Sequence, residues 1–380
     1  MVELIGHPLV ILAVVWISVY LILRFVLKWS PRGVKLYPLG FILKSERALP
    51  IFDKIASAIP SLIKVLSDLG IAMGFGMMSF AIYILTKNLG TYLFAPAAVG
   101  PQNIVIPLVI GVTIRFEHLP YMLLALGIVL ITHEGMHGLI ARLEGLRLKS
   151  TGLFLFYVFP GGFVEPDEEE FMRAPSRTRA RVAAGGSFAN LMVGLLAVFL
   201  MLSMFSPVEA GVVVTGTVSG SRLMENDVIF GVNGIPVNRT TLAQNISASQ
   251  VLVVKTSRGD LIYELEKPLN MPLSQILREL GVTHIAYYFP MKLRLGDPLL
   301  EYNIYRLFFW IQLLGLNVAI FNMLPIHFLD GSLLVNALLE RIIRSKMILK
   351  GLNLALTAFS ISLIALNIGF TLKTFGLLQL

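Results

Sequence analysis

Residues 133–137 read His-Glu-Gly-Met-His. On a helix, side chains at i and i+4 project about 40° apart, so both imidazoles leave one face and can reach a single ion. Glu134 is offset by one residue, close enough to take a proton from a water at that ion without ligating it. The ion that suits this spacing is Zn2+, which lowers the pKa of a water in its open position toward about 7. A neighbouring carboxylate can then remove the proton as the oxygen attacks a carbonyl. The chemistry these residues offer is metal-assisted hydrolysis.

The helix that must carry them is apolar: Leu-Gly-Ile-Val-Leu-Ile-Thr precedes His133, and Gly-Leu-Ile follows His137. The whole chain of 380 residues is 56% hydrophobic and 14% charged, where soluble domains carry about 25% charged residues. Several nearly charge-free stretches have the roughly 20 residues needed to cross a bilayer. The composition therefore specifies a polytopic α-helical membrane protein and excludes a large soluble enzyme. Six transmembrane helices are expected, at 5–27, 69–87, 119–143, 182–205, 304–324 and 351–372. A charge at mid-bilayer costs about 2.5–3.5 kcal/mol even on lenient scales, which marks Glu134 as functional.

The net charge of +8 reports topology, because no basic stripe with interleaved aromatics is present to engage nucleic acid. The absence of cysteine excludes disulfides and thiolate metal sites. The first apolar stretch has Glu3 as its first charge and no basic n-region, so a retained helix is expected there and not a signal peptide. Basic residues cluster after the first span (Lys28, Arg32, Lys35), between the third and fourth (Arg142, Arg147, Lys149) and between the fifth and sixth (Arg341, Arg344, Lys346). Six spans put all three clusters on one side, the cytoplasm by the positive-inside rule, and both termini outside. Residues 207–300 would then be extracytoplasmic. Their Val/Ile runs, broken by Asn233-Gly234 and Arg258-Gly259-Asp260, read as a small β-rich domain with a short helix near 272–280.

The chain thus reads as four regions. Residues 1–118 hold outer helices, an interfacial helix within 43–66 and a membrane-associated extended segment at 104–114, where Pro96, Pro101 and Pro107 forbid a long helix. Residues 119–206 hold two core helices, 207–300 the β-rich domain, and 301–380 a third core helix and the last span. The acidic run at 165–170 is a solvated patch at a helix start, Met73, Met77 and Met78 are packing or lipid-facing residues, and Asn190 could be interhelical glue.

A catalytic zinc wants three protein ligands. Asp330, His327 and the more distant His118 are the candidates for the third. Asp330 lies 11 residues from Arg341, and His133 and His137 lie nine and five from Arg142. These are similar depths, roughly 8–17 Å below the same boundary.

Together these residues resemble the site-2 protease family of intramembrane zinc metalloproteases. The likeness rests on His133-Glu134-x-x-His137, on Leu329-Asp330-Gly331 with Asn322 eight residues before the aspartate, and on Gly186-Ser187-Phe188-Ala189-Asn190. It is looser at Gly100-Pro-Gln-Asn103 to Thr113 and at Gly161-Gly-Phe-Val-Glu-Pro166, which look like membrane-associated strand and re-entrant segments. The resemblance implies three core helices around the zinc, Glu134 as catalytic base and Asp330 as third ligand. It also implies that Asn322 and Asn190 help to hold the substrate strand or the oxyanion. Residues 208–292 resemble the family's PDZ-like insertion, through Glu225-Asn-Asp-Val-Ile229 leading to Val232-Asn-Gly-Ile-Pro-Val237.

The expected activity is hydrolysis of peptide bonds in the transmembrane segments of other membrane proteins. Such a substrate must unwind, and the 104–114 segment is expected to offer it a strand edge. A different membrane metallopeptidase, such as a prenyl-protein protease, stays open, as does a zinc transporter or scaffold. Glu134 speaks against the latter two, which need no general base.

Overall fold

In the computed structural model, residues 8–29, 31–157, 159–248 and 250–378 are described. Five helices among them are long and apolar enough to cross a membrane: Pro60–Phe94, Phe116–Leu143, Ser176–Met204, Pro298–Asn322 and Lys346–Phe375. They contain or overlap the last five expected spans. The first expected span begins outside the described residues. Its described part is α1 (Pro8–Leu21), continued by a wider-wound turn (Ile22–Val26), and the apolar stretch Val10–Val26 is shorter than the other five.

The chain divides into two compact units. The first comprises residues 1–119, 126–194 and 313–380. After α1 it holds strands β1 (Val34–Tyr37) and β2 (Gly40–Ser45), helices α2 (Leu49–Ala58), α3 (Pro60–Phe94) and α4 (Leu119–Leu143), and strands β3 (Leu148–Phe156) and β4 (Phe159–Pro166). Then come α5 (Glu168–Arg173), α6 (Ser176–Met204), the end of α8 (Pro298–Asn322), α9 (Asp330–Ile342) and α10 (Lys346–Phe375). Within 43–66, where an interfacial helix is expected, the chain forms α2, bounded by β2 and by Ile59, which leaves helical geometry (φ −134°, ψ 49°) before Pro60 in the first turn of α3. Phe52 and Ala56 of α2 pack onto Ile140, Leu146 and Leu148.

The helical core is built on small side chains. Met77 and Met78 of α3, Ala183, Ala184 and Phe188 of α6, Met323, and Leu334 of α9 form one buried cluster. Gly315 stands so near Asn190 O and Gly194 that a methyl group there would crowd both. Close approach of this kind drives helix association where water cannot.

Strands β1 to β4 form one antiparallel sheet in chain order, with Gly40 opposite Phe156 and Phe156 opposite Phe159. Across it, Glu165 Oε2 accepts from Lys44 Nζ and Ser150 Oγ, each at 2.7 Å. Those contacts, Lys44 first, hold its carboxyl below its ordinary range. The 104–114 segment, by contrast, makes no ladder beyond a single bridge between Ile110 and Ile114. It folds on itself: Thr113 Oγ1 donates to Pro107 O (2.6 Å) and accepts from Val109 N (2.7 Å), and Gly111 takes φ +77°. Its start is pinned by a buried network, with Asn88 Nδ2 donating to Asn103 O and Asn367 Oδ1, and Val105 N to Thr371 Oγ1. An open strand edge lies instead at β4, which pairs only with β3 among the described residues.

The second unit comprises residues 120–125 and 195–312. Its β-rich part contains β5 (Val212–Thr217), β6 (Val228–Val232), β7 (Ile235–Pro236), β8 (Asn245–Ala248), β9 (Val251–Thr256), β10 (Gly259–Glu264), β11 (Leu269–Pro272), α7 (Leu273–Glu279) and β12 (Val282–Tyr287). The main sheet runs β10-β9-β6-β5-β12 and a second ladder joins β11 to β8. Asn233 and Gly234 both take positive φ, the tight turn that joins β6 to β7. Asp227 is 3% exposed and accepts from Met224 N (2.8 Å) and Arg258 Nη2 (2.6 Å). Glu301 is also buried and saturated, accepting from Tyr288 OH, Met291 N and Leu295 N.

Candidate active site

Helix α4 delivers His133, Glu134 and His137, and α6 crosses it with residues too small to obstruct them. Asp330 arrives from the other side of the sequence. Helix α8 stops at Asn322, residues 323–329 turn through Pro325, and α9 opens on Asp330. The turn is possible because Gly331 lies against the carbonyls of Met323 and Leu324, where a Cβ would collide with the backbone. The helix start also favours a carboxylate at that point.

The three side chains meet. His133 Nε2 lies 3.2 Å from His137 Nε2 and 3.2 Å from Asp330 Oδ2, and His137 Nε2 lies 3.3 Å from the same oxygen. A tetrahedral zinc about 2.0–2.1 Å from each ligand sets those ligands about 3.3 Å apart. The triangle therefore has the edges that the ion requires, and its donors, two imidazoles and one carboxylate, are a catalytic zinc set. Among the described residues this is the group that could hold a metal.

Each imidazole is fixed through its other nitrogen, which decides the tautomer. His137 Nδ1 donates to Val182 O at 2.7 Å, leaving the Nε2 lone pair for a metal. His133 Nδ1 lies 3.0 Å from the side-chain amide of Asn190, which is fully buried and also 3.0 Å from Thr132 Oγ1. The tautomer that frees His133 Nε2 needs the amide oxygen toward the ring, a half-turn that leaves both contacts in place. Asp330 Oδ2 accepts from Asn322 Nδ2 (2.8 Å) and Ser187 Oγ (3.3 Å). Asn322 Nδ2 is also 3.2 Å from His133 Nε2. Of the two asparagines expected to face substrate, Asn322 borders the metal group and Asn190 stands behind it.

Gly186 sits directly under the imidazoles. A Cβ there would overlap His137 Nε2 and approach His133 Cε1 to 2.9 Å. Gly186→Ala should accordingly lower metal affinity by at least the roughly 10–100-fold that follows loss of an orienting contact. Gly127→Ala, on a face of α4 with nothing within 4 Å, should leave it unchanged. Competition with a chelator measures both, and equal affinities would remove Gly186 from the site.

Glu134, next to His133 in the chain, is not one of the three ligands. Its Oε2 accepts from Val164 N of β4 at 3.0 Å. Strand β4 pairs only with β3 among the described residues, so the edge that Glu134 touches is open. Beside it lies a cavity of about 530 Å³, walled by Ile131 and Leu139 of α4, Phe52 and Ile55 of α2, and Leu153 and Phe163 of the sheet.

The rival ligands lie elsewhere. His327 is exposed, its backbone N donating to Thr357 Oγ1 at 3.1 Å and its ring against Phe328. His118 precedes α4, about 22 Å from His133 at the helical rise, and lies 3.7 Å from Glu117. The hairpin of β1 and β2 escaped the sequence reading, although the alternation in Val34-Lys35-Leu36-Tyr37 was there to be used.

Residues 121–366, roughly two thirds of the chain, match peptidase family M50. The chain belongs to peptidase family M50. This is the site-2 protease family, whose members are zinc metalloproteases, and the matched stretch contains His133, Glu134, His137, Asn190, Asn322 and Asp330. An uncharacterised protein of Methanocaldococcus jannaschii is 28% identical over 226 residues, 57% of this chain and 57% of its own length. A membrane-bound transcription factor site-2 protease homolog of Arabidopsis thaliana is 27% identical over 203 residues, 50% of this chain and 38% of its own length. The alignments thus span between about two fifths and three fifths of these relatives.

Proposed function

We propose that this M50 protein is an intramembrane zinc endopeptidase that cuts peptide bonds within or beside the transmembrane segments of other membrane proteins. One observation carries the reading: the carboxylate beside the metal group is also hydrogen-bonded to an open strand edge, in an apolar groove among membrane-type helices. His133, His137 and Asp330 would hold Zn2+, which when bound acidifies a water and polarises the scissile carbonyl. Glu134 takes the proton of the attacking water and passes it to the departing amide nitrogen. Asn190 keeps His133 in its working tautomer, and Asn322 donates beside the metal group, where an oxyanion would gather charge.

A substrate helix hides its peptide groups in its own hydrogen bonds. Strand addition to β4 exposes them and leads the chain past Glu134. A transporter or a scaffold has no use for a base poised on a strand edge, and a prenyl-protein protease would need a lipidated cysteine in its substrate. The basic clusters support an orientation with the site toward the cytoplasm and with both termini and residues 207–300 outside. The turn after β6 and helix α7 before β12 support a PDZ-like character for that β-rich part.

The test is cleavage of a synthetic transmembrane peptide by the protein in lipid discs. The products should map to a bond inside the apolar stretch, a chelator should stop the reaction, and Zn2+ should restore it. N-methylation of one substrate amide beside that bond removes a ladder hydrogen bond worth about 1 kcal/mol, so cleavage should fall roughly fivefold or more. Equal cleavage of both peptides would sink strand addition, and zinc flux without cleavage would sink the protease reading.

A further inference from the structure

Away from the metal group, a cavity of about 690 Å³ opens among α6, α9 and the first three turns of α10. Its wall changes character along α10. Lys346 and Lys350 lie in the first turns, with Arg344 just before them. Leu354 and Thr357 continue the same face, Thr357 lying roughly 16 Å along the axis from Lys346 and about 10 Å from Lys350 at 1.5 Å per residue. One carboxylate, Glu340, lines the cavity, and Arg179 already pairs with it. Arg344, Lys346 and Lys350 are exposed and have no acidic partner among the described residues. The cavity therefore sets three uncompensated cations beside the aliphatic side chains of Ile343, Leu349 and Leu354.

Two of its lining residues also carry buried polar atoms without a hydrogen bond, Arg179 Nε and Asn336 Oδ1. Unsatisfied buried groups of this kind point to a missing partner. One is a donor and the other an acceptor.

We infer that this cavity binds an anionic phospholipid, its phosphodiester held by Arg344, Lys346 and Lys350 and an acyl chain laid along Leu349 and Leu354. A free phosphate would use the cations and leave the aliphatic wall bare. A lipid uses both, and α10 is apolar and long enough to cross a bilayer, so its basic first turn falls where headgroups are. The inner end of the cavity touches His327, whose backbone is tied to Thr357, three residues before Asp330. A bound lipid would brace the turn that presents this carboxylate.

Native mass spectrometry of the full protein in detergent tests this, with phosphatidylglycerol and phosphatidylcholine of identical chains as probes. The wild type should retain phosphatidylglycerol at least tenfold over phosphatidylcholine. The Arg344→Gln, Lys346→Gln, Lys350→Gln triple variant should lose that preference, and a Lys28→Gln, Arg32→Gln, Lys35→Gln triple should keep it. Leu354→Gln, which changes no charge, should weaken retention severalfold and guards against misfolding of the triple. Equal retention of the two lipids by the wild type, or equal loss in the control triple, would overturn the assignment. So would displacement of the lipid by an equal concentration of inorganic phosphate, which would make this a soluble-anion site.

Discussion

Asp330→Ala is expected to yield a folded protein without zinc. The two imidazole nitrogens, 3.2 Å apart, would remain, but a catalytic zinc is held by three protein ligands. Loss of one of them should exceed the roughly 10–100-fold cost of losing an orienting partner. Asn322→Ala supplies that comparison, since its amide donates to Asp330 Oδ2 at 2.8 Å without joining the triangle. Its affinity should fall within the smaller range. His327→Ala should bind zinc as the wild type does, because its ring lies outside the triangle, against Phe328. Metal content after dialysis against a weak chelator ranks the three. A metal-free His327 variant beside a zinc-loaded Asp330 variant would reverse the assignment.

The ranking also measures how far a sequence can be read. His133 and His137 were legible because the helix period is fixed, so spacing alone puts two rings on one face. Asp330 was legible only by depth together with the resemblance at Leu329-Asp330-Gly331, because His327, three residues earlier, lies at nearly the same depth; the short turn over Gly331 keeps α9 close to where α8 ends. Asn190 shows the limit: its residue type and span were readable, but which neighbour it meets depends on how α6 is rotated against α4, and nothing in its own sequence states that. The sheet shows a second limit. Gly40 pairs with Phe156 across more than a hundred residues, and short strands do not name their distant partners. The Ile- and Val-rich 104–114 segment had strand composition, yet Pro107 lacks a donor and Gly111 takes a positive φ, so local breakers overrode its β-propensity. The open edge moved to β4, whose glycines at 161 and 162 weaken it as a strand in isolation.

Glu134→Gln should separate binding from chemistry. Glutamine keeps the length of the side chain and an oxygen that can accept from Val164 N, so neither the groove nor the triangle has reason to shift. What disappears is the ability to take a proton at neutral pH. Cleavage of the transmembrane peptide should fall by about 10²–10⁴-fold, the usual share of a positioned general base, while zinc content and thermal midpoint stay at wild-type values. Glu134→Asp keeps the charge but draws the carboxylate back by one carbon, away from the strand edge. It should recover part of the rate, and peptide affinity should remain close to that of the glutamine variant, because the two differ only at the one contact to Val164 N and leave the rest of the β4 edge unchanged. If the glutamine variant still cut at the wild-type rate with its zinc in place, the proton would have to be taken elsewhere, and the contact between Glu134 and β4 would be reduced to a structural one.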